Sequence, residues 1–233
     1  MKMRHRLALI TMLTVAAINP SHHAAAVPLL AVDLGRIISG SPTAVHPEFS
    51  GMAGAVVESS STQSFGVYAV TITGDGFYSA GFNAGHADPS VAALYEDYYY
   101  NNATANGLGI GLSIAGVAPN TDYDVTLWSY DMDNIFSPTA TGWGPAGATT
   151  GTSGSVTNIA EPYPTTKSDY STTIRVRSSS TTLEMFGTTT SGSGGTRLNG
   201  FALTAVPEPS SMALASLVAL LYSSLRGRSK RQE

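Results

Sequence analysis

The sequence predicts an all-β protein, an antiparallel jelly-roll sandwich of about eight strands with one short helix. Three observations lead there. Between Val27 and Val206, apolar and polar residues alternate at the two-residue period of a half-buried strand, in one segment after another. Turn residues separate these segments, while helix signals occur once. About eight such strands in about 180 residues suit two stacked sheets with buried inner faces. Charged residues are only 12% of the chain, about half the ordinary level, so Gly, Ser and Thr supply the polarity.

Each element follows from its residues. Leu30–Leu34 opens the domain as a strand. Phe65–Thr73 reads as one β-rich run with Tyr68, Val70 and Ile72 on one face. Gly74-Asp75-Gly76 then turns the chain, and Phe77–Phe82 returns as a hairpin. Asp88-Pro89 forms an N-cap and first-turn pair, and Val91, Leu94, Tyr95 and Tyr98 share a helical face. This predicts a helix over Pro89–Tyr99, with Tyr98-Tyr99-Tyr100 opening a strand as the alternative. Leu108–Ala115 puts Leu108, Ile110, Leu112 and Ile114 on one face, and Pro119-Asn120-Thr121 forms a tight turn. Tyr123–Tyr130 follows, with Tyr123, Val125 and Leu127 alternating against Asp124, Thr126 and Trp128. Residues 137–196 hold 26 Ser and Thr, so Ser137–Lys167 reads as a long irregular excursion and Thr188–Thr196 as a flexible stretch. Thr172–Arg177, Thr181–Phe186 and Arg197–Leu203 complete the strands. No internal repeat supports a solenoid or propeller.

The charges divide the chain into three parts. It carries 12 Lys and Arg against 16 Asp and Glu, but seven of the basic residues lie in the first six or last eight positions. Val27–Val206 holds five basic and fourteen acidic residues, a net of −9. Such a domain does not attract phosphate backbones, so nucleic acid is not an expected partner. With no cysteine, disulfides, thiolate metal sites and a Cys nucleophile are excluded.

The ends read as processing signals. Lys2, Arg4 and Arg6 precede the apolar stretch Leu7–Ile18, Asn19-Pro20 breaks it, and Ala24-Ala25-Ala26 offers small residues for cleavage before Val27. Residues 1–26 are therefore expected to be a signal peptide with a short hydrophobic helix, and 27–205 the secreted β-sandwich domain. Residues 206–233 form the tail. There Val206-Pro207-Glu208-Pro209 is stiff and extended, because each proline restricts itself and its predecessor. Met212–Leu225 is uncharged, and Arg226, Arg228, Lys230 and Arg231 follow. A helix of that length spans about 21 Å, short of the roughly 30 Å hydrocarbon core. The tail is thus expected to insert in the membrane transiently, with its basic end cytoplasmic.

Pro207-Glu208-Pro209, a short apolar helix and a terminal Arg/Lys cluster, in that order, resemble a PEP-CTERM sorting signal of bacteria. The resemblance covers about 28 residues. It implies recognition by an exosortase, a membrane-embedded cysteine protease/transpeptidase. It also implies removal of the tail near Pro207-Glu208-Pro209, and release or attachment at the cell surface within exopolysaccharide. A second resemblance lies in the domain. The run Leu112–Asp131, with Ala-Pro-Asn-Thr-Asp-Tyr-Asp-Val at its centre, and the final Leu198-Asn-Gly-Phe-Ala-Leu203 are similar to secreted PEP-CTERM proteins with galactose-binding-like domains. This implies a jelly roll and, more loosely, a carbohydrate-binding surface.

Catalytic signals are sparse. The chain has no H-E-x-x-H helix, G-x-S-x-G elbow, P-loop or dinucleotide fingerprint. His46 and His86, both near Gly or Pro, read as solvated loop histidines rather than a metal pair or acid/base. A glycosidase needs two carboxylates in a cleft, and no pair among the fourteen is marked. The expectation is a non-enzymatic surface or matrix protein that binds polysaccharide. A purely structural, self-associating surface protein and a secreted glycoside hydrolase are the alternatives. For binding, Trp128, Tyr130, Phe136 and Trp143 offer ring faces on which sugars stack, or else core packing. Trp143 stands out because Gly142 and Gly144 flank it in a polar stretch. Asp131, Asp133 and Asn134 offer hard oxygen ligands to Ca²⁺, or an Asx-type strand end. No other cofactor is indicated.

Overall fold

Alternating burial places two rows of apolar side chains face to face. The computed structural model describes residues 27–38, 41–42, 44–54, 59–79, 87–101, 109–130, 139–145, 154–158, 163–191 and 195–207. The elements in chain order are β1 (Leu30–Ile38), β2 (Ser41–Pro42), β3 (Ser50–Gly54), β4 (Ser60–Phe65), β5 (Tyr68–Thr73), β6 (Gly76–Ser79), α1 (Pro89–Glu96), β7 (Asp97–Asn101) and β8 (Gly109–Ala115). They continue with β9 (Asp122–Trp128), β10 (Thr139–Pro145), β11 (Gly154–Asn158), β12 (Ser171–Arg177), β13 (Thr182–Ser191), β14 (Thr196–Leu198) and β15 (Gly200–Ala205). One six-stranded sheet has the order β12-β9-β15-β1-β2, with β3 also paired to β1; the other runs β11-β10-β13-β8-β5-β4. A three-stranded sheet, β14-β7-β6, accompanies them.

The fold is an all-β sandwich with one helix among the described residues. Val32, Leu34, Val125, Leu127, Ile174, Phe201 and Leu203 of the first sheet share one buried cluster with Val70, Ile72, Ile110, Leu112, Ile114, Leu183 and Met185 of the second. Each such side chain contributes roughly 1.5–3 kcal/mol when fully buried. Tyr123, Val125 and Leu127 point into this core, as their alternation predicts. The opposite face of the first sheet is also partly covered. There α1 lays Val91, Ala92, Leu94 and Tyr95 against Trp128, Tyr130 and Ala202.

The helix starts where the sequence indicates. The Asp88 carboxylate accepts the Ser90 backbone N–H at 2.9 Å, and Pro89 opens the first turn. It ends earlier than Tyr99, at Glu96, because Asp97 takes extended dihedrals. The tyrosine run adopts the strand alternative, pairing as β7 with both β6 and β14.

Other expectations are corrected. Fifteen strands occur among the described residues rather than about eight, and β1 pairs with β3 in parallel. Phe65–Thr73 is broken at Gly66-Val67, where Gly66 takes φ 61°, into the hairpin β4–β5. β6 turns back but pairs with β7 rather than β5, and Phe77 packs edge-on to Tyr99 with ring centroids 4.8 Å apart. The supposed excursion 137–167 contains β10 and β11, and β10 is an interior strand between β11 and β13. Thr is a good strand former, so its abundance there does not mark a loop. Among the described residues no helix is long and apolar enough to cross a membrane. The terminal hydrophobic helices expected at Leu7–Ile18 and Met212–Leu225 lie outside those residues.

Candidate functional site

Of the four aromatic residues singled out by sequence, Trp143 and Tyr130 lie inside the protein and Trp128 is 6% exposed. Trp143 is 0% exposed and sits opposite Gly187 across the β10–β13 ladder. A Cβ on Gly187 would fall 2.7 Å from three atoms of the indole, so the ring lies over a position that only glycine leaves open. Tyr130 is also 0% exposed. Its N–H donates to Asn199 Oδ1 at 2.6 Å, and its ring packs on Tyr95 and Tyr170. Neither ring presents a face to solvent. Asp131, Asp133, Asn134 and Phe136 lie outside the described residues, as do Glu208, Pro209, Arg226, Arg228, Lys230 and Arg231. Pro207 is described and exposed. Among the described residues no three His, Asp or Glu gather as a metal site.

A different surface has the geometry of a site. A groove of about 670 Å³ opens on the outer side of the first sheet, beside α1. That size falls within the ordinary range of small-molecule sites. Its apolar lining includes Leu29, Ala31, Phe49, Phe65, Trp128 and Ala202, and its charged groups are Glu48 and Lys167. The sequence distances are long, so the sandwich brings these residues together.

Each part is held by identifiable bonds. Trp128 lies at the end of β9 on the face opposite Val125 and Leu127, and its Nε1–H donates to the Lys167 carbonyl. Tyr95 Oη–H of α1 donates to the Lys167 and Asp169 carbonyls. Asp169 closes the loop from inside. Its Oδ2 accepts the N–H groups of Thr165 at 2.7 Å and Thr166 at 3.0 Å, which hold its carboxyl below the usual carboxylate range. Phe49 meets Trp128 edge-on at a centroid distance of 5.2 Å. The Lys167 ammonium stands 6.0 Å from the Phe49 ring centroid, within cation–π range, and pairs with the Glu48 carboxylate. That pair holds Glu48 below the usual carboxylate range.

Bonded to the turn that carries Glu48 and Phe49 is a buried polar group that the sequence did not mark. The Asp33 carboxyl, on β1, accepts the His46 backbone N–H at 2.7 Å. Burial pushes its pKa up to about 8; the bond from His46 opposes the shift and nearby Asp97 adds to it. His46 is 4% exposed, which corrects its reading as a solvated loop histidine. Its imidazole is neutral at ordinary pH, because burial foremost and then Lys167 hold its pKa below the usual value.

Chemically, the groove offers aromatic and aliphatic surface beside one cation and one anion. Among its lining residues Glu48 is the only carboxylate. Sequence reasoning missed Phe49, Glu48 and Lys167 because none sits in a recognisable motif. The available hint was Trp128, whose parity places it opposite the core face.

No family model and no curated protein matches the chain. Among solved structures it is similar to Bacteroides uniformis β-glucuronidase 2, in a complex covalently bound to cyclophellitol-6-carboxylate aziridine. The identity is 17% and the TM-score 0.44, over 76% of this chain and 18% of that one. It is also similar to the N-terminal cellulose-binding domain of Cellulomonas fimi β-1,4-glucanase C. There the identity is 18% and the TM-score 0.26, over 57% of this chain and 90% of that one. Likenesses this distant carry no functional assignment.

Proposed function

We propose that this is a non-enzymatic, exported cell-surface or extracellular-matrix protein whose β-sandwich, a jelly roll, binds carbohydrate in the Phe49–Trp128 groove. The observation that supports it is an aromatic surface flanked by the Glu48–Lys167 pair. Sugars have apolar C–H faces that pack on rings and hydroxyls that bond to charged groups. The domain's net −9 favours a neutral glycan, or an anionic one bridged by Ca²⁺. In this reading the tail, which resembles a PEP-CTERM signal, is processed by an exosortase-like membrane protease after transient inner-membrane insertion, with cleavage near Pro207-Glu208-Pro209.

The binding part is tested by affinity electrophoresis of the full-length protein in gels containing hydroxyethylcellulose or galactomannan. Retardation is expected, reduced about tenfold or more by Phe49→Ala and Lys167→Ala if they are central contacts. Absence of retardation in every neutral and Ca²⁺-supplemented anionic gel refutes the binding part. A Ca²⁺ requirement abolished by Asp131→Ala would assign the bridging ion to Asp131, Asp133 and Asn134. Mass spectrometry of the exported protein tests sorting, with termini expected near Val27 and Pro207.

A second reading, self-association through a sheet edge, has its own observation. β4, at the edge of the second sheet, is six residues without charge or proline, the kind of edge that pairs with another chain. At the edge of the first sheet, β12 carries Arg175 and Arg177, paired with Asp124 and Asp122. Sedimentation without glycan discriminates: concentration-dependent oligomers abolished by Ser64→Pro favour this reading.

A further inference from the structure

We infer that His46 is the positioning residue of the groove: its imidazole Nδ1 and backbone hold Glu48 and Phe49 in place, and protonation of Nδ1 releases them. The inference rests on the groove being the carbohydrate site, and names the regulation of that site.

The geometry is local and complete. His46-Pro47-Glu48-Phe49 forms a turn in which the His46 carbonyl accepts the Phe49 N–H at 2.9 Å, with proline at the second position, where its fixed φ suits a turn. Within the turn, His46 Nδ1 accepts the Glu48 N–H at 3.2 Å. Nδ1 therefore carries no proton, and the imidazole proton resides on Nε2. The His46 N–H anchors the turn to Asp33 on β1, and the imidazole packs edge-on against Phe49 at 4.8 Å. Glu48 and Phe49, the two groove residues on this turn, are thus both held by the ring and backbone of His46, alongside Lys167 and Trp128.

A protonated Nδ1 is a donor. It would face the Glu48 N–H, a second donor, in a site almost closed to water, and the turn must open to separate them. The surrounding charges do not cancel this conflict. Burial foremost and then Lys167, from the loop before β12, oppose protonation; Glu48 on the turn itself and Asp88 at the start of α1 favour it, and the net shift is downward. Asp33 bonds to the His46 backbone rather than to its ring. Because the folded pKa is depressed, the stabilisation is present above the ordinary histidine value of about 6.5. It is lost as pH falls through the lower folded value.

The test uses the full-length protein, followed by amide hydrogen exchange corrected for intrinsic rates at pH 7.5 and pH 5. In the wild type, protection of Glu48, Phe49 and Ser50 is expected to drop about tenfold or more on acidification while β8 stays protected. His46→Asn keeps an acceptor near the Nδ1 position and does not titrate, so protection should become independent of pH. His46→Phe keeps a ring against Phe49 but no acceptor, so protection should be low at both pH values. Wild-type protection of this segment equal at the two pH values overturns the inference. Retardation by hydroxyethylcellulose is measured in parallel. If it is absent throughout while protection follows His46, the carbohydrate reading fails and the positioning role stands. If retardation is present and both measurements ignore pH, the role of His46 fails and the carbohydrate reading stands.

Discussion

A single glycine explains why Trp143 lies where it does. The flanking Gly142 and Gly144 made it look like a ring on a polar loop, and nothing near it in sequence says otherwise. Its partner is Gly187, 44 positions away and directly opposite in the ladder. The indole fills the space a side chain at 187 would take. Gly187→Ala is therefore expected to cost about 1–3 kcal/mol, the usual range for overpacking a tight core. Urea denaturation checks this, and a stability equal to wild type would contradict the packing described. His46 teaches the same lesson in reverse. Proximity to Pro47 suggested solvent, yet the turn folds its ring inward.

At the scale of elements, local signals located strands better than they located partners. The alternation in β8 and β9 was legible, and so was the cap of α1, because both depend on neighbours a few residues away. The break in Arg197–Leu203 was not. There Asn199 interrupts the strand and bridges two elements: its Oδ1 accepts the Tyr130 N–H at 2.6 Å and its amide donates to the Asp97 carbonyl at 2.8 Å. Asn199 is fully buried, so Asn199→Ala removes two bonds from a site water does not replace. The expected loss is about 1–3 kcal/mol for each group left unsatisfied, read from the midpoint of chemical denaturation. A loss within error of zero would show that the bridge is dispensable.

For the molecule as a whole, the charge distribution sets the response to pH. Among the described residues Asp33 and Asp97 are both buried, and the carboxyl of Asp33 couples stability to pH. Its folded pKa, about 8, lies above the ordinary value, so its contribution is fully present below about pH 4. That contribution is lost as pH rises through about 8. The slope approaches about 1.4 kcal/mol per pH unit at its steepest. Asp33→Asn keeps an acceptor for the His46 N–H and cannot ionise. It is expected to flatten the fall in melting temperature between pH 5 and pH 9 and to be the more stable form at pH 9. Parallel melting curves for the two proteins across that range would contradict this. His46 acts with the opposite sign, because its folded pKa is lowered, so just below about pH 6.5 it offsets part of the fall that Asp33 causes.

By itself, the sequence determined the all-β class, the inward rows of β8 and β9, the start of the helix and the division of charge between domain and ends. These are matters of composition and short period, and each is visible within a window of a few residues. Tertiary structure alone decided that β6 pairs with β7, that β10 is interior, that Trp143 is buried and that the groove exists. The groove draws on Leu29, Phe49, Phe65, Trp128, Lys167 and Ala202, residues spread over most of the domain. Strand alternation says which side chains share a face, but not which other face will meet them. Pairing and burial are long-range, set by the whole core at once, and a groove assembled from six segments leaves no motif in any one of them.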